Sequence, residues 1–170
     1  MDRKSRYANN TYEQWLERAQ RFCASRERCA SEVLRYLDGF DCPPALMQQV
    51  VAALTSDGFI DELRFARAFA RDKARLSAWG EIKIRHALAA RRVSREAIDE
   101  VLRDLHESGE LPDLYAVLSR KVANMYVNEE DTVLWARLLR FAYSRGFHPE
   151  EAQRIVRQVM REHASPSSEE

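Results

Sequence analysis

The stretch Val50-Val51-Ala52-Ala53-Leu54-Thr55-Ser56-Asp57-Gly58 is echoed by Val101-Leu102-Arg103-Asp104-Leu105-His106-Glu107-Ser108-Gly109 at an offset of 51, with Val50-Val51 on Val101-Leu102, Leu54 on Leu105 and Gly58 on Gly109. A second echo follows, because Val93, Ile98, Val101, Leu102 and Leu105 map onto Phe147, Ala152, Ile155, Val156 and Val159 at an offset of 54. Apolar residues spaced by three and four and closed by a glycine describe an amphipathic helix and its exit. Gly39-Phe40 and Gly146-Phe147 read as a further pair of matching exits. The pattern implies an all-α fold of three tandem three-helix repeats, 12–60, 61–111 and 112–163, followed by a disordered tail over 164–170. Chance agreement of leucines at helical spacing is the competing explanation. Repeats that touch mainly their neighbours stack into an elongated, curved body with a long concave face.

Nine helical segments follow from caps and breakers, at 12–23, 26–38, 44–57, 62–76, 81–91, 95–107, 114–127, 130–145 and 149–162. Asp61, Ser94 and Asp113 are placed to accept hydrogen bonds from the first free N–H groups of the next helix. Gly39, Gly58, Gly109 and Gly146 stand where helices should stop, and Pro43-Pro44 and Pro149 suit first turns, where no backbone donor is lost.

Twenty-seven basic residues balance 27 acidic ones, a zero that argues against a uniformly basic nucleic-acid binder. Divided after residues 60 and 95, the zero becomes a sum of opposed parts. Residues 1–60 are neutral, 61–95 carry ten basic and four acidic groups for a net +6, and 96–170 carry nine and fifteen for a net −6. Along the fourth helix Arg64, Arg67, Arg71 and Arg75 fall within a wedge of about 80°, beside only small Ala68 and Ala74, while Phe65, Ala66, Phe69 and Leu76 gather opposite. Arginine's planar fork suits carboxylates and phosphates, and 23 of the 27 basic residues are arginine. The same row would arise as a solvated face paired with acidic residues of a neighbouring repeat, or from genome base composition.

No catalytic or metal-binding constellation is visible. His86, His106, His148 and His163 are scattered, without an H-E-x-x-H pair or a cysteine at ligand spacing, and Gly-rich phosphate loops and G-x-S-x-G are absent. Cys23, Cys29 and Cys42 form no C-x-x-C pair and read as small buried apolar groups of a reduced, cytoplasmic protein. The longest apolar run, Val50 to Leu54, cannot cross a bilayer, and the N-terminus leads into no signal-like stretch. Trp15, Phe22, Phe65, Phe69 and Trp135 sit in amphipathic patterns and read as core, which leaves Trp79, beside Gly80, as the aromatic of open role.

The run Gly58-Phe59-Ile60-Asp61-Glu62-Leu63-Arg64-Phe65-Ala66-Arg67-Ala68-Phe69, continuing through Asp72-Lys73 to Trp79-Gly80-Glu81-Ile82-Lys83-Ile84, resembles the central signature of the RecX family, regulators of the recombinase RecA. Tyr12 to Leu37, with Phe22-Cys23-Ala24 and Glu27-Arg28-Cys29, resembles the family's first repeat. The likeness is good from about 12 to 107 and weaker beyond, and Arg92 replaces the glycine expected opposite Gly39, so that exit should use a non-glycine conformation. The resemblance implies a non-enzymatic, cofactor-free cytoplasmic protein that lies along the groove of the RecA nucleoprotein filament. There it would restrain filament growth, ATP hydrolysis and strand exchange in recombination, DNA repair and the SOS response. A monomer with no membrane contact is expected. The expected contacts to filament or DNA are Arg64, Arg67, Arg71, Arg75, Lys83, Arg85, Arg91 and Arg92, while Gly58, Asp61, Phe65, Phe69 and Gly80 serve as turn, cap and core. The alternatives are a helical module that binds single- or double-stranded DNA without RecA, and a helical adaptor for another protein.

Overall fold

A computed structural model describes residues 10–125 and 130–164. Within them the chain is all-α, with nine helices in three successive three-helix repeats and no strand. They are α1 (Tyr12–Ala24), α2 (Ala30–Asp38), α3 (Pro44–Ser56), α4 (Glu62–Ser77), α5 (Glu81–Ala89), α6 (Arg95–Glu107), α7 (Leu114–Ala123), α8 (Asp131–Arg145) and α9 (Pro149–Ala164). The expected end of the seventh helix at 127 and the expected tail fall wholly or largely outside the described residues.

Local chemistry sets the helix starts. Thr11 closes a capping box with Gln14, Asp61 accepts from the Arg64 amide at 2.8 Å, and Asp113 accepts from the amides of Tyr115 and Ala116. Such a cap is worth about 1 kcal/mol. Pro44 opens α3 and Pro149 opens α9. α2 begins four residues later than its periodicity predicts, because Cys29 takes an extended conformation at the N-cap. The preceding Arg26 and Arg28 turn their guanidinium groups to Glu32 at 3.5 and 3.6 Å.

The helix exits correct two sequence expectations. Gly39 ends α2 with an ordinary φ of −61°, and the left-handed residue is Asp41, at φ 58°. Arg92 is also left-handed, at φ 62°, so the exit of α5 uses the backbone state that glycine favours, although it holds no glycine. The true equivalents are Asp41-Cys42, Arg92-Val93 and Gly146-Phe147. In each, the second residue is buried and its N–H reaches back at 3.2 Å to the carbonyl of Leu37, Leu88 or Ala142. This six-to-one bond ties off the helix end and turns the chain into the core.

Spatially the chain divides into two units, one running to Phe69 with Leu88–Val101, the other comprising Ala70–Ala87 and Leu102 onward. In the first, α1, α2 and α3 pack around Trp15, Val33, Leu37, Val50 and Leu54. In the second, α7, α8 and α9 pack around Leu118, Leu134, Leu138, Val156 and Val159. Each such side chain contributes about 1.5–3 kcal/mol by leaving water. Cys23, Cys29 and Cys42 are buried thiols, and burial pushes the pKa values of Cys23 and Cys42 upward.

The second unit also contains a close backbone crossing. The Gly80 N–H donates to the Arg145 carbonyl at 2.8 Å, and the Ile82 N–H to the Gly146 carbonyl at 3.1 Å. The Arg145 side chain donates to the Ser77 carbonyl. A Cβ on Gly80 would stand 2.5 Å from the Gly146 oxygen, so the signature glycine at this position exists to let two backbones meet. Trp79, beside it, is half-buried with the ammonium groups of Lys73 and Lys83 at 5.1 and 4.6 Å from its ring centre.

Candidate functional site

Phe65, Ala66 and Phe69 on α4 are buried, as their spacing predicts. Leu76 is a correction. It is 82% exposed despite sharing their side of the helical wheel, because it lies in the last turn of the helix. Ala74, expected beside the arginines on the wet face, is buried with Ala70 and extends the inward stripe.

In the first unit, Arg64 bonds through Nε to Glu27 Oε1 at 2.8 Å and through Nη2 to the Gly58 carbonyl at 2.9 Å. The bond to Glu27 raises its pKa further and holds the guanidinium firmly charged. Arg67 meets Glu100 at 2.7 Å. The Arg91 guanidinium lies 4.6 Å from the centre of the Phe69 ring, with its Nε 3.5 Å from Glu32, while its backbone carbonyl accepts from Ser31. Arg92 is exposed and borders a cleft shared with Cys29, Thr55 and Glu62.

In the second unit, Arg71 meets Glu110 at 3.3 Å and Arg85 meets Glu81 at 3.2 Å. Lys83 donates to the Ser144 carbonyl at 2.6 Å. Arg75 is exposed and has no acidic partner among the described residues. His106 and His148, far apart in sequence, both approach Glu81 Oε2, at 3.5 and 4.0 Å. Both remain surface residues, and among the described residues no cluster of three or more His, Cys, Asp or Glu is disposed to hold a metal ion. No helix among them is long and apolar enough to cross a membrane.

Five of the eight expected contact residues, Arg64, Arg67, Arg71, Arg85 and Arg91, thus meet a carboxylate within the fold. Their side chains are 32–55% exposed, and ion pairs of that kind contribute about 0–1 kcal/mol each. An incoming phosphate or carboxylate can therefore exchange for the internal partner at small cost. Glu27 lies 37 residues from Arg64, and Glu100 lies 33 from Arg67. No local spacing rule could have found these partners. Sequence reading also missed a second basic face, formed on α9 by Arg154, Arg157 and Arg161 beside Trp135, which is half-buried rather than core.

Residues 61–102 match the model of a family described as "RecX, second three-helix domain". The regulatory protein RecX of Clostridium botulinum is 28% identical over 125 residues, covering 73% of this chain and 57% of that protein. The chain spans about half the length of this and the other clostridial relatives, between 48% and 57% of each. A crystal structure of RecX from Lactobacillus salivarius shares the fold, with a TM-score of 0.69 at 15% identity, covering 88% of this chain and 96% of that one. The regulatory protein RecX of Chromohalobacter salexigens is 34% identical over 140 residues, covering 81% of this chain and 88% of that protein. With that identity extending over most of both chains, the protein belongs to the RecX family of regulatory proteins.

Proposed function

We propose that the chain is a non-catalytic, cofactor-free cytoplasmic regulator that binds the RecA–DNA filament as a monomer and restrains its growth, ATP hydrolysis and strand exchange. The observation that carries this reading is a coincidence. The segment matching the family's second three-helix domain, residues 61–102, holds the net +6 stretch, and its arginines are held by weak, exchangeable ion pairs. A polyanionic filament offers many carboxylates and phosphates at once, so the combined exchange favours binding although each pair contributes little. Arg64, Arg67, Arg91 and Arg92 supply this contact from the first unit, and Arg71, Arg75, Lys83 and Arg85 from the second.

The test is charge removal. Arg67→Gln with Arg71→Gln removes two cations without placing a negative charge beside Glu100 or Glu110, so folding should be preserved. Inhibition of RecA-catalysed ATP hydrolysis at fixed salt should then need about tenfold more protein, equivalent to about 1.4 kcal/mol. Unchanged inhibition by a folded variant would remove these residues from the contact.

A further inference from the structure

The −6 carried by residues 96–170 hides a local surface of opposite sign. Arg154, Arg157 and Arg161 recur on α9 at spacings of three and four, which places them on one side of the helix over a rise of about 10 Å. All three are exposed, and none meets a carboxylate among the described residues. The Arg161 Nε donates to the backbone carbonyl of Arg157, at 3.4 Å. Glu162, the adjacent acid, is engaged by the Tyr115 hydroxyl and by Gln158 Nε2, and these donors, with a smaller contribution from the Arg161 charge, hold its pKa below the usual carboxylate value. Glu151 belongs to a different cleft, lined by Glu81, His106 and His148.

Trp135 on α8 completes the surface. Its ring centre lies 5.6 Å from the Arg157 guanidinium carbon, and Trp135, Arg154, Arg157, Met160 and Arg161 line one open cleft of about 500 Å³. Three like charges on one helix face repel one another, and an anion bound between them would relieve that repulsion. The arginines of α4 differ, since Arg64, Arg67 and Arg71 each have a carboxylate within the fold.

We infer that this cleft binds single-stranded nucleic acid, with Arg154, Arg157 and Arg161 on successive phosphates and Trp135 against the face of an unpaired base. Guanidinium forks pair with phosphate oxygens in two-point contacts, and every base offers a flat face to an aromatic ring. An acidic peptide would use the arginines but leave the flat Trp135 surface unmatched. A duplex would present phosphates but no open base face. The inference goes beyond the proposed regulation of RecA and needs no RecA, so its failure would leave that reading standing.

The test is fluorescence anisotropy of a labelled 15-nucleotide oligo-dT with the full chain, without RecA, over a range of salt concentrations. Arg154→Gln, Arg157→Gln and Arg161→Gln combined should weaken binding at least tenfold at unchanged helicity. The slope of log affinity on log salt should shrink by about 2, as expected for three lost phosphate contacts on a single strand. Trp135→Phe should keep most of the affinity and Trp135→Leu should lose it, both read against the same helicity control. Absence of wild-type binding, equal affinity of the triple variant, or equal affinity for a 15-base-pair duplex would each overturn the inference. Tighter binding of poly-glutamate than of oligo-dT would overturn it too, assigning the cleft to acidic protein.

Discussion

Gly146→Ala should lower the melting temperature more than any other glycine-to-alanine change in the chain. Gly146 is left-handed at φ 85°, and a Cβ there would lie 2.4 Å from both the backbone nitrogen and the Cβ of Lys83. The left-handed state costs an L-residue about 1–2 kcal/mol. Forcing extra volume into a packed contact adds about 1–3 kcal/mol. The obstacle includes backbone, which cannot swing aside as a side chain end can. Together these give a loss of about 2–5 kcal/mol, or a melting temperature lower by roughly 5–15 °C for a chain of this size. Gly58 supplies the control, since it has a similar φ of 76° but nothing within 4 Å of where a Cβ would stand, so Gly58→Ala should show the first cost alone. Gly39, at an ordinary φ of −61°, should tolerate alanine within about 1 kcal/mol. Equal losses at Gly146 and Gly58 would show that the crossing with Lys83 is not a tight contact in solution.

Phe65→Ala should be comparably damaging for a different reason. The side chain is 2% exposed in the first unit and stacks on Phe69, with ring centres 5.9 Å apart. Truncating a buried phenylalanine costs about 3–5 kcal/mol through lost transfer energy and the cavity left behind. Phe69, which carries the Arg91 guanidinium over its ring, would lose its stacking neighbour. Phe65→Leu retains most of the volume and should cost less than about 1.5 kcal/mol. Thermal and denaturant melts of the two variants measure the difference, and an equal small loss for both would contradict burial at this position.

Much of the fold was legible because its signals are local. Caps such as Asp61 and Asp113, prolines at first turns and glycines at exits act within one helical turn, and the helix boundaries follow them closely. Repetition could be read in the third helix of each repeat, where Val50, Val101 and Ile155 are alike and all buried. It was hidden in the first helices, where one buried row spaced by four runs Trp15, Ala19 and Cys23, then Ala66, Ala70 and Ala74, then Leu114, Leu118 and Val122, while α4 buries Phe65 and Phe69 as well. The three sets fill the same inward stripe with different volumes. The exit register escaped sequence reading because glycine marks the left-handed position in only one of three equivalent turns, with Asp41 and Arg92 in the other two.

The candidate site was legible in its residue types but not in its electrostatics. Helical spacing placed the α4 arginines on one face, yet Glu27, Glu100 and Glu110 come from distant parts of the chain, Glu27 and Glu110 from connections between helices and Glu100 from α6. Charge summed over residues 96–170 then concealed Arg154, Arg157 and Arg161. The i, i+3, i+7 spacing of these three was the signal available in the sequence, and a face-by-face count along α9 would have found it.

The most direct measurement is RecA-catalysed ATP hydrolysis on single-stranded DNA as this chain is titrated in, with the amount of chain that sediments on the filaments read in parallel. The proposed regulation predicts that hydrolysis falls as the chain accumulates on the filaments. Undiminished hydrolysis by filaments that carry no folded chain would contradict it.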